Sequence, residues 1–371
     1  MKWLWSGALA ALIPAPAIAQ PGFPAPVIMN SGDAAWMLTA SALVLLMTLP
    51  GLVLFYGGLV RHKNFLSVAI QCFGIACIAS LIWVGFGYSL VFSEGSPFIG
   101  GLGLAMLSGL GEVFPGTTVP ESSFVLFQMT FAIITPALMI GAWVERARFG
   151  WVMAFCALWL IVVYIPVAHW LWGGGWLATR FGALDFAGGI VVHTTAGVSA
   201  LVVALMIGRR RGFPSRLIPP HGAALTMAGA AMLWVGWFGF NGGSGLAANF
   251  AAGAAILNTH VAASMAALTW ALIEKIKFGK VTGVGGMLGA LMLAVLMAPA
   301  LGGTGYAEGS GMADQLAGQA IAVVVVVLWS AVATAAIAWL TGIVFPMRAT
   351  EEQEHQGLDL AQHGEKAWDW D

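Results

Sequence analysis

Long apolar stretches recur along the whole chain, at about 36–59, 66–92, 123–143, 149–172, 189–208, 223–241, 248–273, 282–301 and 317–345. Each is near the ~20 residues a helix needs to cross the hydrocarbon of a bilayer. In hydrocarbon every backbone N–H and C=O must find a partner inside the chain, so spans of this kind and length are helices. The pattern therefore predicts an all-α integral membrane protein with about nine transmembrane helices. Of the 371 residues 60% are hydrophobic and only 8% charged, a balance that leaves no soluble core to build. A net charge of −1 carries none of the basic excess on which nucleic-acid binding depends, and no nucleic-acid partner is expected.

The positions of the few charges orient the spans. Residues 1–19 set Lys2 before a short apolar stretch and close on Ala17-Ile18-Ala19, the pattern of a cleaved secretory signal, which predicts a mature amino terminus outside the cytoplasm. Alternate loops then hold Arg61-His62-Lys63, Arg146 with Arg148, Arg209-Arg210-Arg211 with Arg216, Lys275 with Lys277 and Lys280, and finally Arg348 and Lys366. The opposite loops offer only Arg180, with Glu94, Glu112, Glu121, Glu308 and Asp314. The positive-inside rule makes the basic loops and the carboxyl terminus cytoplasmic, and an odd number of spans agrees. The chain divides into a signal peptide (1–19), a transmembrane domain (20–349) and a cytoplasmic tail (350–371). Cys72, Cys77 and Cys156 fall within apolar stretches and offer neither a disulfide framework nor a metal-ligand spacing. No metal or other cofactor is expected.

Ionisable side chains within spans are the first functional candidates. Asp185 and His193 stand eight residues apart where the fifth apolar stretch begins. A functional imidazole and a buried histidine satisfied by a nearby hydroxyl are about equally compatible with the segment around His193. Asp185 precedes the helix and suits capping of its free amides better than contact with a substrate. Phe127 and Phe131 share a helix face at i and i+4, which by itself describes a packing or lipid-facing stripe. Trp172, before Gly173-Gly174-Gly175, is placed like an interfacial anchor. His62, His169, His221, His355 and His363 at span ends or in loops read as structural, and His260 is a polar residue in the seventh stretch without an evident role. The many glycines within spans fit close helix packing. No paired carboxylate, nucleophile with a base or metal cluster accompanies His193, so an intramembrane enzyme is not expected.

Several long segments carry a resemblance in collinear order: Pro50 through Leu59, Gly141-Ala142-Trp143-Val144-Glu145-Arg146, Ala168 through Gly175, Asp185 through His193, Gly236 through Asn241 with Gly243-Ser244, and the tail from Glu351 to Glu365. Together they resemble the ammonium transporter family (Amt/Mep/Rh), most closely its bacterial Amt branch. The resemblance implies a fold related to an eleven-helix inverted repeat, in the inner membrane of a bacterium. It implies that Phe127, Trp172 and Ser244 form an external recruitment site, where ring faces and a hydroxyl hold an ammonium ion. Phe131 and Phe240 match the stacked gate below, and His193 the first of two pore histidines. Asp185 matches a carboxylate that supports the recruitment site without touching the ion. The implied mechanism is deprotonation at the outer site and passage of neutral ammonia through an apolar pore, because a bare ammonium in low dielectric is too costly. The cargo would be ammonium or ammonia, with methylammonium as an analogue. The implied partners are two further copies of the chain in a homotrimer, membrane lipid, and a PII-type signalling protein recognised through Gly357, Leu358, Asp359, His363, Gly364 and Glu365.

One departure stands out. Lys277-Phe278-Gly279-Lys280 runs directly into Val281-Thr282-Gly283-Val284-Gly285-Gly286, where the family has about two further spans. The segment aligns with either the family's eighth or its tenth helix, the Gly-Val-Gly-Gly spacing favouring the tenth, and in that register Thr282 stands where the second pore histidine should be. The second half of an inverted repeat contributes half of the conduction path. The expectation is therefore a transporter with an impaired pore, the alternative being a poorly conducting sensor or regulator that acts through its tail.

Overall fold

The computed structural model describes residues 29–216, 218–278 and 311–368. Among them are eight helices long and apolar enough to cross a membrane: α1 (Ser31–Leu59), α2 (His62–Phe92), α3 (Glu121–Trp143), α4 (Phe149–Trp172), α5 (Gly189–Ile207), α6 (Ala223–Gly243), α7 (Phe250–Phe278) and α8 (Met312–Val344). Eight of the nine expected stretches coincide with them to within a few residues. The ninth, 282–301, lies outside the described residues, as do Thr282 and the expected signal peptide at 1–19.

The helices pack as a bundle in which α1 lies against α3 and α6, α2 against α3 and α4, α6 against α7, and α8 against α4 and α5. In the apolar stretch of α3, 78% of residues are buried, against 6% for α7; α3 is the central helix and α7 a peripheral one. Contact between α1 and α6 requires missing side chains. A Cβ on Gly58 would lie 2.4 Å from Thr226 Oγ1 and 2.6 Å from the Gly222 carbonyl, and one on Gly236 would lie 2.1 Å from Met47 Cγ. Glycine lets the two backbones approach where apolar packing alone gives little drive, since lipid is as apolar as the helices. Where α4, α5 and α8 meet, Trp159 Nε1 donates to Ser199 Oγ at 2.9 Å and Thr334 Oγ1 donates to the same oxygen at 2.7 Å. Such polar pairs link helices at positions from which water is excluded.

Four spans contain a wide turn of π type: Met47–Leu52, Trp83–Gly87, Leu160–Tyr164 and Gly189–Thr194. The first contains Pro50, which has no N–H to continue the α ladder. The last contains His193, and insertions of this kind concentrate at functional sites. Between α2 and α3 a short hairpin pairs Gly95–Ser96 with Ile99–Gly100. It closes over buried His169, whose ring nitrogens lie 2.7 Å from the Val91 carbonyl and 2.9 Å from that of Ser96. His169 is structural, as expected.

Candidate functional site

At the end of the bundle away from the carboxyl-terminal tail a cavity of about 320 Å³ opens between α3, α4, the loop before α5 and the end of α6. Phe131, Trp172, Asp185 and Ser244 line it, together with Phe92, Phe114, Phe124, Gln128, Leu171, Phe186 and Leu246. Phe127 is buried behind this wall instead, edge-on to Phe131 at 4.9 Å. It fills the space left by Gly243, where a Cβ would meet its ring at 2.6 Å. The three residues expected to recruit an ion are thus brought together only in part, with Phe127 supporting Phe131.

Trp172 is not an interfacial anchor. Its indole N–H donates to the Asp185 carbonyl at 2.7 Å, and its ring meets Phe131 edge-on at 5.9 Å. Ser244 donates its hydroxyl hydrogen to the Phe240 carbonyl at 2.8 Å, which leaves the oxygen's lone pairs as acceptors.

Asp185 does what its position before a helix suggests. Its Oδ1 accepts the N–H groups of Gly188 and Gly189 at 2.7 and 2.8 Å, and its Oδ2 those of Ile190 and Val191 at 2.8 and 2.7 Å. Three of these amides belong to the first turn of α5 and the fourth to Gly188 just before it, where no earlier carbonyl exists to accept them. Gly188 makes the turn possible: its φ is +90°, and a Cβ there would meet Val192 at 2.6 Å. The loop is also held from α8, since Leu184 N–H donates to Gln319 Oε1 and Gln319 Nε2 donates back to the Leu184 carbonyl, both at 2.8 Å.

From the cavity a file of rings leads inward. Phe131 and Phe240 lie 4.2 Å apart at 30°, in contact, and Phe240 lies 5.8 Å from His193 at 26°. Trp237 stacks on His193 at 5.7 Å. Contact between the two phenyl rings leaves no gap for an ion between cavity and imidazole. His260 is exposed on α7 with its ring 5.6 Å from Trp234 and 5.9 Å from Phe238, away from this file. The sequence reading passed over Gln128, Phe124 and Phe114. Phe124, Gln128 and Phe131 recur at i, i+4 and i+7 on α3, a stripe that a search for one helix face would have found. Phe114, stacked on Phe124 at 3.6 Å, comes from a loop and carries no such signal.

The tail residues form a second site at the opposite face. The tail is not a solvated strand: Glu351–Gln356 is a helix, and the following residues lie against the first turns of α2 and α4. Leu358 N–H donates to Asn64 Oδ1 at 2.8 Å, and the Asp359 carboxylate accepts the N–H groups of Ser67 at 2.7 Å and Leu66 at 3.1 Å. The Gly357 φ of +105° brings its backbone within 2.7 Å of Lys63 from where a Cβ would sit. His363 meets Phe149 edge-on at 5.3 Å, Gly364 adopts φ +71°, and Glu365 is exposed. Backbone and side chain of the tail both engage the basic residues. Arg61, Lys63 and Arg211 donate to the backbone carbonyls of Glu354, His355 and Glu351, and Arg348 pairs with the Glu354 carboxylate at 2.6 Å.

Beneath the tail, Glu145 accepts from Arg61 Nε at 3.0 Å, Asn64 Nδ2 at 2.9 Å and Arg210 at 2.7 Å. Burial by itself pushes the Glu145 carboxyl up, but the Arg210 charge, the Arg61 backbone amide and the Arg61 charge outweigh it and hold the group below its ordinary value.

Comparison with known proteins adds the following. The model of the Ammonium Transporter Family matches residues 35–284 and 279–368, two pieces that meet at the junction singled out in the sequence. An ammonium transporter of Bacillus subtilis is 39% identical over 405 residues, covering 92% of this chain and 99% of the relative. That aligned length exceeds the 371 residues of the chain, so the alignment passes over residues of the relative that this chain lacks. An ammonium transporter of Aquifex aeolicus is 38% identical over 92% of this chain and 94% of its own length. Among solved structures, a protein described as a sensor Amt protein superposes with a TM-score of 0.81 at 26% identity, over 89% of this chain and 98% of that one. Mep2 of Candida albicans superposes with a TM-score of 0.76 at 31% identity, over 89% of both chains.

Proposed function

Because this chain belongs to the ammonium transporter family, a family of multi-pass membrane proteins, we propose that it takes up ammonium at the outer cavity and passes the nitrogen inward as ammonia. The file of rings from Trp172 through Phe131 and Phe240 to His193 carries this reading. An ammonium ion losing water at the cavity gains the π faces of Trp172 and Phe131 and the lone pairs of Ser244. Asp185 keeps the wall in shape through the first turn of α5. Its charge is compensated by four amides, so it stabilises a cation in the cavity without binding it directly. Below the cavity the lumen is apolar, and a charged species there would be unpaired in low dielectric. The proton is given up above Phe131, and neutral ammonia passes Phe240 when the rings part, to meet the imidazole of His193.

On this reading the cavity faces outward and the tail lies in the cytoplasm, in the inner membrane of a bacterium, and the chain assembles as a homotrimer with one pore per subunit. The tail from Gly357 to Glu365 is the surface for a PII-type protein. The experiment is ammonium-dependent current in liposomes holding the purified protein. A low current that His193→Ala abolishes supports the reading, while full current indifferent to that substitution overturns it. Mass measurement finding only monomers would remove the trimer, and equal retention of the host's PII protein by full-length and tail-deleted chains would remove the partner.

A second reading has its own support. The junction at 279–284 and Thr282 in the place of the second histidine weaken conduction, and the solved sensor Amt protein shares the fold. On that reading the chain binds ammonium and signals through its tail. It predicts saturable ammonium binding with no current at all.

A further inference from the structure

A cavity of about 230 Å³ lies where the tail crosses the start of α2, lined by His62, Lys63, Gln356, Asp359, Lys366 and Trp368 among others. It is far from the file of rings and has no part in the passage of ammonia. We propose that it binds the phosphate of an anionic phospholipid headgroup and so clamps the tail to the first cytoplasmic loop.

Three observations converge. The first is charge. Lys63 and Lys366, with exposed His62, line it beside one carboxylate among the described residues, that of Asp359, whose two oxygens already accept backbone N–H groups from Ser67 and Leu66. A cavity with two ammonium groups and a carboxylate occupied elsewhere favours an anion. Lys63 donates to the His355 carbonyl, and an ammonium has three N–H groups, so two remain for a ligand. The second is the wall. Trp368 lies 5.7 Å from Phe65 and 6.4 Å from His221, and His221 lies 6.5 Å from His62. Aromatic rings grouped at the end of a span are what a bilayer's headgroup level selects.

The third is location. The cavity opens at the first turn of α2, where the apolar span begins, beside exposed Leu360. Acyl chains of a bound lipid can therefore lie along the span while the phosphate enters between the lysines. Basic residues next to a span are the usual partners of anionic lipid. Because Lys63 belongs to α2 and Lys366 to the tail, one phosphate bridges the two.

The test uses the full-length protein in vesicles of phosphatidylcholine alone or mixed with phosphatidylserine, with backbone hydrogen exchange read over residues 356–368. Exchange should slow when phosphatidylserine is present. Inorganic phosphate or glycerol phosphate added to phosphatidylcholine vesicles distinguishes the source: no effect supports a lipid, and equal slowing shows a soluble phosphate ligand and overturns the lipid assignment. Lys63→Gln and Lys366→Gln should each weaken the lipid effect roughly five-fold, while the corresponding arginine variants retain it and serve as a check that the tail still folds. Exchange indifferent to phosphatidylserine, or a double glutamine variant as sensitive as the parent, overturns the proposal. None of these readings depends on current through the pore or on a PII protein.

Discussion

Replacing Asp185 by asparagine tests the outer site most directly, because the change keeps shape and removes function from a single group. The carboxylate accepts four N–H groups through two oxygens. An asparagine keeps one oxygen, enough for two of these amides, and turns an NH2 group towards the other two, which lose their acceptor. A buried donor left without a partner costs about 1–3 kcal/mol, so the expected loss is about 2–6 kcal/mol. That is a large part of the ~5–15 kcal/mol by which folded domains are stable. Asp185→Ala orphans all four amides and should cost more. The assay is the denaturant midpoint of the detergent-solubilised protein, followed through tryptophan fluorescence, with Ser244→Ala as a reference that leaves the α5 turn intact. The same substitution should raise the ammonium concentration needed for half-maximal binding, since Trp172 is tethered to the carbonyl of this residue. An Asp185→Asn protein with the parent's midpoint and the parent's ammonium affinity would refute the argument that the carboxylate organises the cavity through the helix start.

Three further outcomes are expected. Glu145 is held below its ordinary pKa when folded, so its contribution is present above the ordinary carboxylate range and is lost as pH falls through the lower folded value; protease resistance of the tail should drop in that acid window, and Glu145→Gln should show the weakness already at neutral pH. Gly58→Ala puts a methyl group 2.4 Å from Thr226 Oγ1 and against backbone atoms of α6, so the two helices must separate; overpacking of this kind costs about 1–3 kcal/mol, read as a lower thermal midpoint. Asp359→Ala removes the acceptor for Leu66 and Ser67, a loss of about 1–2 kcal/mol by analogy with helix caps, and should speed proteolysis within 351–368 while leaving the outer cavity's ammonium affinity unchanged.

The fold was legible because each span carries its own signal: some twenty apolar residues admit one backbone solution in lipid, whatever the neighbours are. The site was legible where a residue type has few other uses. Asp185 before an apolar helix foretold capping, and the structure adds that it serves four amides. The i and i+4 positions of Phe127 and Phe131 differ by about 40° around a helix, which lets Phe131 face the cavity while Phe127 packs against Gly243 behind it. The docking of the tail was hidden for a different reason. Several of its acceptors are the carbonyls of Glu351, Glu354 and His355, and every residue has a carbonyl, so no side-chain pattern records that part of the docking.

Helix α8 ties these regions together in a way neither region shows alone. Its 33 residues make a rod of roughly 50 Å. Near one end Gln319 holds the Leu184 backbone beside Asp185, and just past the other Arg348 grips Glu354 at the root of the tail. A helix is stiff along its axis, so the loop at the mouth of the cavity and the root of the tail rest on opposite ends of one support.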